Sequence, residues 1–393
     1  MKEANETQLS KEIIKMINDS PEKRITFYDF MKMALYAPEL GYYTKDRKKI
    51  GKSADFYTSS SVGPIFGQTI ANSFVELLQY ASEKETFFIL EMGGGDGRFA
   101  RDVLNAMFEK YPKIYQSLTY FMLEASPYHQ DLQREHLERH LNHVKWIDQL
   151  QDLPQPFIGI IFSNELVDSF PVHKVKKVNG KFKEIFVTWN EERESYEEIT
   201  AELSHPSLED YFIQQKVTLK EGQVAEINLD AMDWMKHVAQ RLIRGYVITI
   251  DYGYPADELY ASHRHDGTLM CYYQHTANDN PYQLIGEQDI TTHVNFTALM
   301  EEGKRWGLEP VWFSTQSHFL MNSGILEMLQ EIGLDQMKNK DLFQDEAIKL
   351  NRAIRQLIMP GEMGETFKVL VQQKNMGSYQ YRFMTSALKQ YGL

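Results

Sequence analysis

The stretch of sequence that most restricts the fold is FFILEMGGGDGRFARDVL, at residues 87–104. An apolar strand runs into Gly93, Gly94, Gly95 and Gly97, and a helical pattern follows at once. Four glycines within five positions let the chain turn sharply and let a ligand press against the backbone. This order of elements is typical of the first strand–turn–helix unit of a doubly wound α/β sheet.

The spacing of these glycines argues against a bound pyrophosphate. A dinucleotide fingerprint needs a glycine three positions after its second glycine, and Arg98 stands there instead. The spacing is E-x-G-x-G-x-G, and Asp96 adds a second carboxylate beside the turn. Carboxylates repel phosphate but suit S-adenosylmethionine, which carries a sulfonium, an ammonium and no phosphate. The predicted donor-binding residues of the turn are Glu91, Gly93, Gly95 and Gly97.

Continuously apolar strands alternate with helical patterns along much of the chain. We predict strands at residues 87–93, 119–126, 157–166 and 246–253. Such strands, when helices separate them, are typical of a parallel sheet that is covered on both faces. The sequence therefore predicts an α/β protein with a mostly parallel sheet and helices on both of its faces.

Three consecutive regions are predicted. They are an N-terminal helical and lid region at 1–80, a core at 81–320, and C-terminal helices with a closing strand at 321–393. An inserted α+β segment interrupts the core at about residues 172–235, where Asn179 and Gly180 give a strong hairpin signal. Late strands at 267–273 and 366–374 are candidates for a closing hairpin.

Polar side chains stand where two of the predicted strands end. Ligands of open α/β sheets bind outside the carboxyl ends of the strands, so Glu124 is predicted to accept hydrogen bonds from the donor's ribose. Asn164, Glu165 and Asp168 follow the next strand and are the predicted catalytic residues. Glu165 with Asp168 could bind a planar guanidinium through paired hydrogen bonds. Capping of the following segment is an equal alternative for Asp168.

Composition limits the other functions. The net charge of −13 disfavours nucleic acid as a partner. The single cysteine, Cys271, excludes an intramolecular disulfide and fits a reducing compartment. No signal peptide and no apolar run of about 20 residues is seen, so we predict a soluble cytoplasmic protein. His136 and His140 lack the glutamate of a zinc-protease motif and are expected to be exposed, and we predict no metal.

Eight blocks of the sequence resemble the MidA-like methyltransferases, a family that includes the mitochondrial protein-arginine methyltransferase that assists assembly of respiratory complex I. The resemblance spans about residues 25 to 374, and the blocks that carry it are FYDFMKMALYAPELGYY, ADFYTSSSVGPIFG, LEMGGGDGRFARDVL, LEASP, SNELVDSFPVH, IDYGY, GTLMCYY and GEQDITTHVNF. The resemblance implies a class I, seven-stranded Rossmann-like fold that uses S-adenosylmethionine. It also implies that Asp55, Thr58 and Ser59 form part of a lid near the donor or acceptor.

The resemblance favours methyl transfer to a protein side chain, with arginine as the target. In the mitochondrial relatives the substrate is a subunit of complex I, and the acceptor of this chain is left open. Two alternatives stand beside this expectation. One is an assembly or binding protein that keeps the donor pocket without turnover, and the other is a methyltransferase for small molecules. A homodimer is also left open, and neither nucleic acid nor a membrane span is expected.

Overall fold

The structure is a computed structural model, and it describes residues 7–45, 62–80, 86–328, 344–359 and 363–384. Its contacts divide the chain into two units. The parallel-sheet unit comprises Tyr57–Glu165, Lys236–Tyr252 and Gly303–Leu393, and the antiparallel-sheet unit comprises Met1–Phe56, Leu166–Met235 and Gly253–Glu302. Each unit is therefore built from segments that are distant in sequence. The three consecutive regions expected above divide the chain in another way and stay a prediction.

Helices cover much of both units. In chain order they are α1 (Gln8–Asp19), α2 (Phe27–Tyr36), α3 (Pro64–Gln79), α4 (Arg98–Lys110), α5 (Pro112–Ser117), α6 (Pro127–His136), α7 (Ser207–Gln215), α8 (Leu229–Arg241), α9 (Ala256–Leu259), α10 (Phe296–Arg305), α11 (Gln316–Asn322), α12 (Gln344–Ile358) and α13 (Met363–Thr366).

The strands are mostly short. In chain order they are β1 (Ile25–Thr26), β2 (Phe87–Met92), β3 (Leu118–Leu123), β4 (Val144–Ile147), β5 (Phe157–Asn164), β6 (His173–Val178), β7 (Lys181–Asn190), β8 (Ser195–Ala201), β9 (Val224–Ile227), β10 (Leu242–Tyr254), β11 (Met270–Tyr273), β12 (Thr276–Asn278), β13 (Asp289–Thr291), β14 (Val294–Asn295), β15 (Glu309–Thr315) and β16 (Phe367–Lys374).

The main sheet has the strand order β15-β16-β10-β5-β2-β3-β4, and the two-residue strand β14 pairs with the end of β10 as an eighth strand. Strands β10, β5, β2, β3 and β4 run parallel, whereas β16 is antiparallel to both of its neighbours. The predicted α/β fold with a largely parallel sheet is confirmed. Because β5, β2 and β3 are parallel neighbours, their carboxyl ends meet at one edge of the sheet.

Helices α3 and α4 cover one face of this sheet. The Phe99 ring of α4 stacks on Phe162 of β5, with ring centroids 4.7 Å apart, and Phe74 of α3 meets the same ring at 5.4 Å. All three rings are buried. This packing fixes α4, and therefore the turn that precedes it, against the centre of the sheet.

The antiparallel-sheet unit contains two further sheets. Five strands form the path β1-β7-β6-β9 with β8 paired to β7, and three form the path β12-β11-β13. The hairpin predicted from Asn179 and Gly180 joins β6 to β7, and both residues have positive φ, 51° and 75°. Paired positive φ values are what a tight two-residue hairpin turn requires. The predicted hairpin is confirmed.

The expected closing hairpin between the two late strands is wrong. Strand β11 pairs with β12 and β13, whereas β16 pairs with β10 and β15. The sequence showed two late apolar strands, but an apolar pattern does not specify which strands pair with each other. Strand β15, which follows α10, was not foreseen as a strand at all.

Candidate active site

The glycine turn between β2 and α4 has the backbone that only glycine adopts easily. Gly93, Gly95 and Gly97 have φ values of 70°, 52° and 82°, in the left-handed region that a Cβ disfavours. The Gly93 N–H donates to the Leu123 carbonyl at 2.9 Å, which joins the turn to the end of β3. The chain therefore bends back on itself at the carboxyl edge of the sheet and presents bare backbone there.

Glu91 lies beneath this turn rather than beside it. Its side chain is only 3% exposed, and Tyr120 Oη donates to its Oε2 at 2.9 Å. A Cβ at Gly94 would stand 3.2 Å from the same Oε2 and 2.7 Å from Met122 Cε. A side chain at position 94 would therefore displace the residues that hold Glu91.

Burial changes the charge expected at Glu91. It raises the pKa of this carboxyl to about 8, and the neighbouring charges of Glu124 and Asp96 act in the same direction. Asp96 in turn pairs with Arg98, whose Nε donates to Oδ2 at 2.6 Å. The sequence analysis counted two negative charges beside the turn. Glu91 is instead mostly protonated at neutral pH, and the ion pair with Arg98 partly neutralises the charge of Asp96.

Glu124 follows β3, the parallel neighbour of β2, and so lies at the same edge of the sheet. Its Oε1 accepts the Ser126 N–H at 2.9 Å, and Gln133 Nε2 stands 3.5 Å from its Oε2. The same Gln133 nitrogen donates to the Gly95 carbonyl at 2.7 Å. Glu124 is therefore connected to the glycine turn, as a ribose-binding carboxylate would need to be. That role itself stays a prediction.

We expect Glu124→Ala to raise the Kd for S-adenosylhomocysteine by roughly 5- to 150-fold, equivalent to losing about 1–3 kcal/mol of hydrogen bonding. Isothermal titration calorimetry measures this directly. Glu135→Ala is the matched control, because Glu135 is an exposed glutamate on the nearby helix α6. Equal affinity in wild type and Glu124→Ala would remove Glu124 from the donor site.

Asn164 and Glu165 stand where β5 ends. Asn164 Nδ2 donates to Glu165 Oε1 at 2.9 Å, and the Glu165 N–H donates to the Ile250 carbonyl at 2.9 Å. Glu165 has φ of 52°, a strained value for a residue with a side chain. Asn164 Oδ1 is buried, with no hydrogen-bond partner among the residues that the structure describes. The parallel pairing of β5 with β2 brings both residues to the edge that carries the glycine turn.

Asp168 belongs to the other unit. It is 5% exposed and lies within the short 3-10 turn Val167–Ser169, and its carbonyl accepts the Thr292 N–H at 3.0 Å. Leu166 occupies the N-cap of that turn, and no side chain caps it. The alternative that Asp168 caps the following segment stays a prediction. The predicted clamp of Glu165 with Asp168 joins residues of different units and stays a prediction.

Sequence reasoning missed a cluster of tyrosines around Asp168 and Asp289 in the antiparallel-sheet unit. Tyr43 Oη donates to Asp289 Oδ2 at 2.7 Å, and the rings of Tyr36 and Tyr43 stack with centroids 5.4 Å apart. Burial raises the pKa of both phenols, and the charge of Asp289 adds to the effect. Asp289 begins strand β13. The blocks FYDFMKMALYAPELGYY and GEQDITTHVNF carry Tyr36, Tyr43 and Asp289, and nothing in their spacing predicts that they meet.

The remaining predictions concern the lid residues, the histidines, a metal site and a membrane span. Asp55, Thr58 and Ser59 lie outside the described residues. His140 is buried, not exposed as expected, and its ring nitrogens contact Tyr115 Oη at 2.7 Å and Asn105 Oδ1 at 3.0 Å. In the part of the chain that the structure describes, no three His, Cys, Asp or Glu side chains gather as metal ligands. No helix of that part has the length and apolar character that crossing a bilayer demands.

A largely parallel sheet, a glycine turn without the pyrophosphate spacing and a carboxylate after the next strand define a Rossmann-like S-adenosylmethionine-dependent methyltransferase. Residues 69–314, more than half of the chain, match the family described as "Putative S-adenosyl-L-methionine-dependent methyltransferase". The chain belongs to this family, and the suspected relation to the MidA-like methyltransferases is confirmed.

Curated relatives are similar over most of their length. The mitochondrial protein arginine methyltransferase NDUFAF7 of Rattus norvegicus is 26% identical, over 87% of this chain and 79% of the relative. The human protein of that name is 25% identical, over 87% and 78%. The Drosophila melanogaster homolog is 25% identical, over 94% and 85%.

A solved structure is also similar to this chain over most of its length. The crystal structure of a COG1565 superfamily member from Burkholderia thailandensis, bound to S-adenosyl-homocysteine, has a TM-score of 0.85 and 28% identity. The match covers 96% of this chain and 94% of that one. S-adenosylmethionine, predicted from the glycine spacing, is the cofactor of this chain.

The residues at the edge of the parallel sheet fit this donor. The glycine turn offers bare backbone, and the Asn164 amide brings a buried oxygen that has no partner among the described residues. Glu124 offers a carboxylate for ribose hydroxyls. The assignment of the individual donor-binding residues, Glu91 and the three glycines among them, stays a prediction that substitutions at Glu91, Gly95 and Glu124 test.

Proposed function

We propose that this methyltransferase modifies an arginine side chain of a protein. Two observations support this proposal. The curated relatives are named protein arginine methyltransferases. In this chain, Glu165 stands at the strand end next to the glycine turn, where an acceptor has access to a bound donor.

The observation that carries the proposal is the way Glu165 is held. A strained backbone and a hydrogen bond from Asn164 both fix a carboxylate at the edge of the sheet. A fixed carboxylate can accept two N–H bonds of a guanidinium and so select which nitrogen faces the donor. Strain of this kind persists only where the surrounding structure imposes it, and it is common at functional sites.

Methyl transfer requires few other groups from the protein. S-adenosylmethionine supplies a methyl group that the positive sulfonium already activates. The chain's part is to hold the acceptor nitrogen in line with that group and to keep the acceptor from rotating away, and such positioning accounts for most of the acceleration in reactions of this type. The acceptor nitrogen gains the methyl group and gives up one proton to solvent, so the guanidinium is positively charged before and after transfer, and the carboxylate of Glu165 stabilises that charge.

The test uses methyl-labelled S-adenosylmethionine in a cell lysate. Wild-type protein is expected to label one or a few protein bands, with label recovered as methylarginine after acid hydrolysis. Glu165→Ala should reduce the labelling by roughly 10- to 100-fold, because the acceptor is no longer oriented, while its affinity for S-adenosylhomocysteine is unchanged. Glu192→Ala, at an exposed glutamate of the β7–β8 hairpin, is the control.

Other outcomes decide for the alternatives. Label recovered in small metabolites would replace the protein acceptor by a small molecule. Donor binding without any transfer would favour an assembly or binding protein that keeps the pocket. A subunit of respiratory complex I, which the family resemblance implies, is the first purified acceptor to try.

Two attributes remain parts of the proposal. The relatives are named as mitochondrial proteins, so the cytoplasmic location expected from the amino terminus stays a prediction, which fractionation of source cells would test. A homodimer is likewise a proposal, and light scattering of the purified chain would decide it.

A further inference from the structure

Gln133 connects two parts of the candidate donor site. It lies on α6 and is fully buried. Its Nε2 stands 2.7 Å from the Gly95 carbonyl and 3.5 Å from Glu124 Oε2. An amide nitrogen carries two hydrogens, so one is available for each acceptor. One side chain therefore joins the glycine turn to the predicted ribose-binding carboxylate.

Trp146 fixes the orientation of this amide. Its Nε1 donates to Gln133 Oε1 at 2.9 Å. An indole nitrogen can only donate, so the amide oxygen must face Trp146 and the amide nitrogen must face Gly95 and Glu124. Strand β4, which carries Trp146, thereby contributes to the site although it contains none of the predicted site residues.

Helix α6 also packs directly against the end of the turn. A Cβ at Gly97 would stand 3.0 Å from Gln133 Cα, a backbone atom that cannot turn aside. The distance between the turn and α6 is therefore set by backbone contact, and the side chain of Gln133 spans that distance. Gln133 is thus held at three points: by Trp146, by the Gly95 carbonyl and by the contact at Gly97.

We infer that Gln133 is a positioning residue for S-adenosylmethionine, which holds the Glu124 carboxylate and the glycine turn in the separation that one donor molecule spans. The Ser126 N–H and the Gln133 amide each engage one oxygen of Glu124 and so orient the carboxylate. Orientation by a second layer of hydrogen bonds is how binding groups keep a productive geometry. This inference rests on the donor site assigned above.

The test is a double-mutant cycle read out by calorimetric titration with S-adenosylhomocysteine. Gln133→Met keeps the length of the side chain but has no N–H groups. We expect it to raise the Kd by about 10- to 30-fold in wild type and by less than about 3-fold in Glu124→Ala, because residues that act as a unit do not add. A residue that served stability alone would leave the Kd of the folded variant unchanged, and one that acted on the donor independently of Glu124 would multiply the two effects.

One control variant and one alternative variant accompany this test. Glu135→Met places the same side chain at an exposed position of α6 and should leave the Kd unchanged. If Gln133→Met does not fold, Trp146→Phe removes the N–H that orients the amide, together with part of the ring that Arg134 contacts. It should weaken binding by about 2- to 5-fold in wild type and by nothing measurable in Glu124→Ala.

Three results would overturn the inference. They are an unchanged Kd in folded Gln133→Met, multiplicative losses in the double variant, and equal losses from Trp146→Phe in both backgrounds. An unchanged Kd in Glu124→Ala would instead remove Glu124 from the donor site, and the inference would fall with it. No acceptor is present in these titrations, so the proposed arginine acceptor is tested separately.

Discussion

Gly95→Val is expected to abolish donor binding, with the Kd for S-adenosylmethionine raised at least about 100-fold. Gly95 has φ of 52°, which a β-branched residue adopts only at a cost of roughly 1–3 kcal/mol. The backbone would move to relieve that strain, and the Gly95 carbonyl would lose its place against Gln133. The added methyl groups would also fill the space that bare backbone leaves for a ligand. Calorimetric titration measures the loss.

A matched pair of milder variants separates ligand contact from backbone strain. Gly180, in the hairpin between β6 and β7, has φ of 75°, and a Cβ added there would have nothing within 4 Å. Gly95→Ala and Gly180→Ala both place alanine at positive φ, where the strain costs each about 1 kcal/mol of stability. Only Gly95→Ala should weaken donor binding. Unchanged affinity in both Gly95 variants would contradict the placement of the donor at this turn.

The second large effect concerns the stability of the protein and its dependence on pH. The pKa of Glu91 is about 8 in the folded chain, against 4.5 ordinarily. Between these values the unfolded chain loses a proton that the folded chain keeps, so the free energy of unfolding falls as pH rises from 4.5 to 8. Glu91→Gln removes this loss and still offers an oxygen to Tyr120. It should stabilise the protein by roughly 3–5 kcal/mol at pH 8 relative to wild type, and by little at pH 5.

Donor binding should show the reverse preference. A cationic donor favours the ionised form of Glu91, so the affinity of wild type for S-adenosylmethionine should rise with pH up to about 8. Glu91→Gln should lack this dependence. Thermal unfolding and titrations at about pH 5, 7 and 8.5 measure both effects. A variant whose stability relative to wild type is the same at all three pH values would contradict the raised pKa.

The sequence predicted the elements that carry strong local signals. The strands around residues 87–93, 119–126, 157–166 and 246–253 are present as β2, β3, β5 and β10, within a few residues. Each is a continuous apolar run, which is how strands buried on both faces appear in sequence. The Asn179-Gly180 turn was equally clear, because its chemistry is local.

The rest depends on contacts that local patterns do not encode. Tyr120 could have been foreseen, since it precedes Met122 by two residues and Met122 pairs with Glu91, which places all three side chains on one face of the sheet. Gln133 offered no such signal, because a glutamine in a helix is usually solvated. Burial also removes most of the negative charge expected of Glu91 at neutral pH, and a sequence does not show how deeply a carboxylate is buried.

The division of the chain into two units could not be predicted from the sequence either. The chain enters and leaves each unit more than once, and Glu165 and Leu166 are adjacent in sequence but belong to different units. The late strands show the same limit, because β16 finds its partners more than fifty residues away in β15 and more than a hundred away in β10. Apolar periodicity identifies a strand, but pairing depends on the whole fold.

The central claim is that the backbone from Glu91 to Gly97 holds a phosphate-free adenosine compound with a positive charge. The most direct measurement is calorimetric titration of the wild-type chain with S-adenosylmethionine, S-adenosylhomocysteine and NADH under identical conditions. Heat of binding with both adenosyl compounds and none with NADH is the predicted result. Heat with NADH and silence with both adenosyl compounds would contradict the claim.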